Sequence, residues 1–170
     1  MAVGDKTLSG QTSIILALNN YKELDFNKLQ DSLNITRGEN WTSGTGANQV
    51  QILFHDIRTL ADGANEVLDL YESGTLKDQH GDLLTLTALK FLYIKNKSAD
   101  ATLQLFGGTT PVGICADATD IVKVKPGGTF VWIDPSAAGL DVTTNKNLKI
   151  EHDGTGSSSM DVEIALMGLD

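Results

Sequence analysis

A single cysteine, Cys115, excludes an intrachain disulfide, so no covalent staple can hold this fold together. Basic residues are also scarce. Thirteen Lys plus Arg face 22 Asp plus Glu, the net charge is −9, and the acidic residues are spread along the chain. A phosphate-binding protein usually shows a basic stripe. Here the densest cationic groups, Lys90/Lys95/Lys97 and Lys123/Lys125, are small, and the expectation is solvated strand faces and no nucleic-acid partner. No run reaches the roughly 18 apolar residues of a membrane span, because "LLTLTALKFLYI" is short and broken by Lys90. "MAVGDKTLSGQTS" carries no apolar core of a signal peptide, so the expected protein is soluble, makes no membrane contact and is not exported by a leader. The sequons at Asn34, Asn40 and Asn96 then read as chance. With three prolines in all, no Pro-rich or Ser-rich linker divides the chain. Residues 21–170 read as one domain behind an N-terminal arm and first strand over 1–20.

What is present is punctuated like an all-β protein. "LTLTALKFLYIKN" is a nearly continuous apolar and β-branched run, as in a strand buried on both faces, and "ATLQLFGG" follows as its expected neighbour. "DIVKVK" alternates, Pro126-Gly127-Gly128 turns, and "TFVWID" resumes, with Lys123 and Lys125 on one strand face and Val122 and Val124 on the other. "NLKIEHD" and "MDVEIALMG" alternate in the same way. The fold class expected is an antiparallel β-sandwich or jelly-roll-like architecture with at most one or two short helices. The first half is less legible. "VQILFHDIRTLADGANEVL" fits both a helix and a strand, and Gly63 tips it to strand. "YKELDFNKLQDSLN" has room for a short helix, and "NWTSGTGANQ" reads as a loop. Ile14 to Leu18 read as an ordinary first strand of the sandwich, whereas Met1 to Thr12 carry too little apolar surface to order themselves without another molecule.

The search for chemistry is negative. His55, His80 and His152 are far apart and belong to no H-x-H, H-E-x-x-H or Cys/His pattern, so they read as surface or hydrogen-bonded core residues. "GSSSM" lacks the closing glycine of a nucleophile elbow, and "SGTGANQ" matches neither a P-loop nor a dinucleotide fingerprint. The acidic neighbours of Cys115 raise its thiol pKa and blunt it as a nucleophile. Asp78/Asp82, Asp117/Asp120 and Asp153/Asp161 lack EF-hand spacing and read as turn carboxylates before calcium ligands. The expectation is a protein that is not an enzyme, with no catalytic, cofactor-binding or metal site and no cofactor.

A run of segments in a fixed order carries a resemblance: "GTGANQ", "FHDIRTLA", "DLYESGTLKDQHGD" into "LTALKFLYIKN", then "VKPGG", "DPSAAGLDVT" and "MDVEIALMG". Over about residues 44 to 168 the chain resembles a group of small structural proteins of tailed bacteriophages. Their words are turn chemistry and strand pattern, specific by order and spacing. The resemblance implies a virion β-sandwich, most directly a capsid decoration or cement protein that binds the major capsid protein on the outer head, is made in the host bacterial cytoplasm, and forms a homo-oligomer, a trimer on a local symmetry axis. Two alternatives stand beside it: a phage fibre or tail component, and a carbohydrate-binding module presenting Trp41 or Tyr71.

Overall fold

The computed structural model describes residues 7–23, 25, 28–71, 76–115, 117–156 and 158–170, and among them there is no helix. The strands run β1 (Ser9–Glu23), β2 (Lys28–Ser43), β3 (Gln49–Val50), β4 (Ile52–Leu60), β5 (Asn65–Asp69), β6 (Ala88–Asn96), β7 (Leu103–Leu105), β8 (Val122–Val124), β9 (Thr129–Ile133), β10 (Leu140–Asp141), β11 (Asn147–His152) and β12 (Met160–Leu169). The fold is all-β and sandwich-like. A 5-stranded sheet has the order β10-β6-β12-β4, with β9 also on β6, and a 4-stranded sheet has the order β5-β11-β7-β8. All pairings within these two sheets are antiparallel.

The alternation in sequence becomes the two faces of each strand. Along β12, Met160, Val162, Ile164 and Leu166 are buried, and the register sets Ile164 beside Ile94 and Leu166 between Phe54 and Leu92. Leu68, Leu148, Ile150, Leu103, Leu105 and Val124 close the core from the other sheet. The ambiguous segment at 50–62 resolves as strand: β4 buries Phe54 and Leu60 while Leu53 and Ile57 stay exposed. A helix there would present one continuous stripe, whereas a strand at the edge of the 5-stranded sheet needs only every second residue in the core. On the same inward side, Arg58 pairs with Asp56 at 3.1 Å and reaches Glu66 of β5 at 3.4 Å, so a polar bridge seals the seam between the two sheets.

One expectation about connections is overturned. β6 and β7 are not neighbours, because the chain leaves the 5-stranded sheet at Asn96 and enters the 4-stranded one at Leu103. The turn at 125–128 likewise carries the chain from β8 in one sheet to β9 in the other, with Gly128 N donating to Lys125 O at 2.8 Å. The β6–β7 crossing is organised by the fully buried Asn96. Its amide donates to Ala101 O at 2.8 Å and Val124 O at 3.0 Å, and its carbonyl accepts from Ser98 N at 2.9 Å. This sequon asparagine therefore faces inward and ties three segments together.

Ile14 to Leu18 form a strand, but not one of the sandwich. β1, 15 residues long, pairs along its whole length with β2 and with nothing else, and β2 continues only into a short parallel pairing with β3. In the segment offered as a short helix, residues 21–23 and 28–34 are strand in this hairpin and Asp25 lies in a bend between them. The hairpin is roughly 50 Å long at about 3.3 Å per residue. Residues 1–6 of the leader lie outside the described residues. The rest of it is ordered within the chain: Ser9 to Thr12 pair with Thr42 to Glu39, and Leu8 packs against Trp41.

Replacing Asn96 by Ala should strand the carbonyls of Ala101 and Val124 in the interior, at about 1–3 kcal/mol for the unpaired groups. Urea denaturation should show a loss in that range, and a change below roughly 0.5 kcal/mol would refute the assigned role.

Candidate assembly surface

The hairpin register pairs residues whose numbers sum to 51, so directly opposite side chains share a face. One face carries Ile14/Arg37, Leu16/Ile35, Leu18/Leu33 and Lys22/Leu29. Its aliphatic side chains, Ile14, Leu16, Leu18, Leu29, Leu33 and Ile35, are each between 36% and 55% exposed. The other face is polar over most of its length: Ser32 Oγ donates to Asn19 Oδ1 at 2.7 Å, Gln30 Nε2 donates to Ser32 Oγ at 2.8 Å, and Lys28 lies 4.0 Å from the Tyr21 ring centroid. The ribbon is thus amphipathic, and beyond its base no described element of the chain covers its apolar face.

At the base of that apolar face stands Trp41, 1% exposed, clustered with Val50 and Met167 and flanked by Leu8, Phe91 and Ile133. Its indole N–H donates to Thr12 Oγ1 across the ribbon at 3.1 Å. A buried Trp41 is no stacking platform, which corrects the sequence reading of it as an exposed glycan contact. Tyr71 is half-buried at the end of β5.

The junction between hairpin and sandwich is built on a lysine. Lys90 is fully buried, not a solvated strand residue as its sequence neighbours Lys95 and Lys97 suggest. The register of β6 against β12 slips here: Met167 pairs with Phe91 but Gly168 with Leu89, leaving Lys90 as the extra residue of a bulge. A Cβ on Gly168 would run into Ala88 O and the Leu86 side chain, so the close approach at the slip demands glycine. Lys90 Nζ donates to Gly46 O at 2.7 Å and Gln49 O at 3.0 Å, holding the 44–49 loop from beneath. Burial pushes its pKa down, opposed by the charge of Asp134. Asn48, left-handed at φ 56°, completes the knot. Its N–H donates to Pro135 O at 2.9 Å, its carbonyl accepts from Thr42 N at 3.1 Å, and its amide donates to Glu39. The loops 44–48 and 134–139, far apart in sequence, therefore meet at the root of the hairpin.

The remaining chemistry-bearing residues are dispersed. His152 is buried and satisfied: Nδ1 accepts from Gly154 N at 3.1 Å and Nε2 lies 3.0 Å from Ser158 O, which fits the Nε2-protonated tautomer. His55 and His80 are exposed and line one open groove of about 870 Å3 beside the hairpin base, together with Asp78, Asp82 and Ser43. Asp78 Oδ1 accepts from His80 N and Asp82 N, as a turn carboxylate does. Asp117 is bound by Thr119, Asp161 by Thr59, and Asp153 by Thr155 and Thr102. Among the described residues no group of three His, Cys, Asp or Glu is placed to hold a metal ion. Burial, with the charge of Asp120, raises the pKa of the half-buried Cys115. Lys97 pairs with Glu163 at 2.9 Å, a hydrogen bond that raises its pKa, and Lys95 donates to Gly127 O. Val124 is buried while Lys123 and Lys125 are exposed. No known family profile, curated protein or solved structure matches the chain.

Two outcomes follow from these electrostatics. Hydrogen bonds from Thr155 and Thr102 hold Asp153 at about 2, below its ordinary 3.8. A carboxylate with a depressed folded pKa contributes stability above its unfolded value and loses it as pH falls through the folded one. Stability should therefore fall between pH 3.8 and about 2, and Asp153→Asn should flatten that part of the profile in acid titrations of the urea midpoint. For Lys90 the slope has the same sign for the opposite reason, because here the fold disfavours the charged form. The unfolded chain binds more protons between the lowered pKa and 10.5, so stability gains there as pH rises. Lys90→Met should remove that gain and speed hydrogen exchange at the amides of Asn48 and Gln49. Unchanged exchange at both would show that the ammonium does not hold the loop.

Proposed function

We propose that this protein is a non-enzymatic structural component of a tailed-phage particle, a decoration or cement protein that binds the major capsid protein on the outer head and stabilises it. The observation that carries this reading is the hairpin. A ribbon roughly 50 Å long that leaves Leu16, Leu18, Leu33 and Ile35 uncovered is a surface for assembly, since monomeric proteins rarely display contiguous apolar patches without a partner. Three further features support it. Asp78, Asp117, Asp153 and His152 accept hydrogen bonds from turn amides, the acidic composition suits a protein that must not bind nucleic acid, and the order of segments from "GTGANQ" to "MDVEIALMG" resembles phage structural proteins.

The test is sedimentation of the purified chain with heads that lack decoration. The full chain should pellet with heads and raise the temperature at which they release DNA, and Leu18→Glu with Leu33→Glu should reduce the bound amount at least tenfold. Both positions are half-exposed, so the sandwich should melt as before. Binding to tails or fibres instead would move the protein to another part of the particle. Binding to neither would end the reading.

A further inference from the structure

The occupant of the hairpin's apolar face can be read from the order of its charges. From base to tip, β2 places Arg37, Ile35, Leu33 and Asp31 on that face, beside Ile14, Leu16, Leu18 and Asn20 of β1. The stripe is symmetric about the Ala17–Asn34 pair, with Arg37 three residues to one side and Asp31 three residues to the other. Among the described residues Arg37 meets no carboxylate, its Nη1 donating only to Thr36 O at 3.0 Å, and Asp31 meets no cation.

We infer that the apolar face binds the same face of a second copy of this chain, the two ribbons antiparallel about a twofold axis through the Ala17–Asn34 level. The inference rests on the hairpin being the assembly surface. A twofold axis running across the ribbons lays β2 over its partner's β2 with its direction reversed. Leu33 then meets the partner's Ile35, Leu16 the partner's Leu18, and Arg37 the partner's Asp31, at both ends of the contact. A parallel arrangement, as in a threefold bundle of hairpins, sets Arg37 beside Arg37 and Asp31 beside Asp31, and like charges at close range oppose it. The charge of the strands points the same way. Lys22, Lys28 and Arg37 balance Glu23, Asp31 and Glu39, so β1 and β2 together are neutral in a chain of net charge −9. Two copies can approach through their hairpins without the repulsion that separates their sandwiches.

The area is sufficient for a specific contact. Half-exposed Ile14, Leu16, Leu18, Leu29, Leu33 and Ile35 offer on the order of 500 Å2 per copy, so two copies bury roughly 1,000 Å2, the lower bound for a specific interface. The dimer is accordingly concentration-dependent in solution and firmer where many copies are held close together.

Sedimentation velocity over a concentration series reads the contact directly. The wild-type chain should shift from monomer to dimer as concentration rises. Arg37→Asp alone, which sets a carboxylate of each copy against Asp31 of the other, should weaken dimerisation at least tenfold, as should Asp31→Arg alone. The double reversal, Arg37→Asp with Asp31→Arg, should restore it, because the antiparallel pairing survives exchange of both signs. A wild-type chain that is monomeric at every concentration, a trimer, or a double variant as weak as either single one would overturn the inference. The head-binding assay is read separately. A dimer that fails to bind heads leaves the twofold contact standing and removes the capsid reading, whereas a monomer that binds heads through Leu18 and Leu33 does the reverse.

Discussion

An ammonium group can stay in a site closed to water only if other oxygens replace its hydration, and Lys90 meets that condition with the carbonyls of Gly46 and Gln49. The geometry of the junction follows from that requirement. The bulge against Gly168 turns Lys90 out of the strand's normal alternation, the 44–49 loop folds over it, and Asn48 then reaches both Pro135 O and Glu39. Because Glu39 and Trp41 lie on the same ribbon face, the loop and the small cluster of Trp41, Val50 and Met167 hold the hairpin at two points along one face. The ribbon leaves the sandwich along a direction set by one buried charge and one buried indole.

Much of the sandwich was legible in the sequence, since β11 and β12 alternate in burial as they alternate in hydropathy and the apolar run of β6 is a central strand. Local pattern carries no information about which sheet a strand joins. Among the places where the chain changes sheet are Asn96, 125–128 and the turn after His152, and Asn96 and His152 act there through backbone partners that local pattern does not reveal. Asn96 looked like a chance sequon, and only its contact with Val124 O shows what it does. Lys90 left a clearer trace. A charge inside "LTALKFLYI" has to be either exposed on an edge or buried with partners, and the loop with those partners, "GTGANQ", was already a segment of note.

The hairpin, and with it the candidate surface, was the least legible part, and periodicity explains why. Leu29 and Leu33 are four apart, which suits a helix, while Leu29, Leu33 and Ile35 also share one face of a strand, with Asp31 in the gap. In β1 the run Ile14, Ile15, Leu16 has no alternation at all, and it resembles a strand buried on both faces. In fact Leu16 and Ile15 point to opposite sides of a free ribbon, and Ile15, isolated among polar neighbours, is 71% exposed. Composition alone therefore does not separate a strand buried in its own sandwich from one that leaves its apolar residues exposed.

The two parts of the chain are stabilised on different terms. The sandwich pairs strands distant in sequence, β4 with β12 above all, and fills its centre with side chains it supplies itself. The hairpin pairs only neighbours, so it closes at low loop entropy, but a two-stranded ribbon without a covering layer is marginal in water. What keeps it formed in a lone chain is the anchorage at its base, where the Trp41 indole bonds Thr12 across the strands and Leu8 and Ser43 bond each other at the start of β1. Order at the tip, beyond Leu18 and Leu33, is therefore coupled to whatever covers the apolar face. A partner bound there would add the free energy of burying that face and would also suppress fraying of the outer pairs, so the ribbon would stiffen on binding.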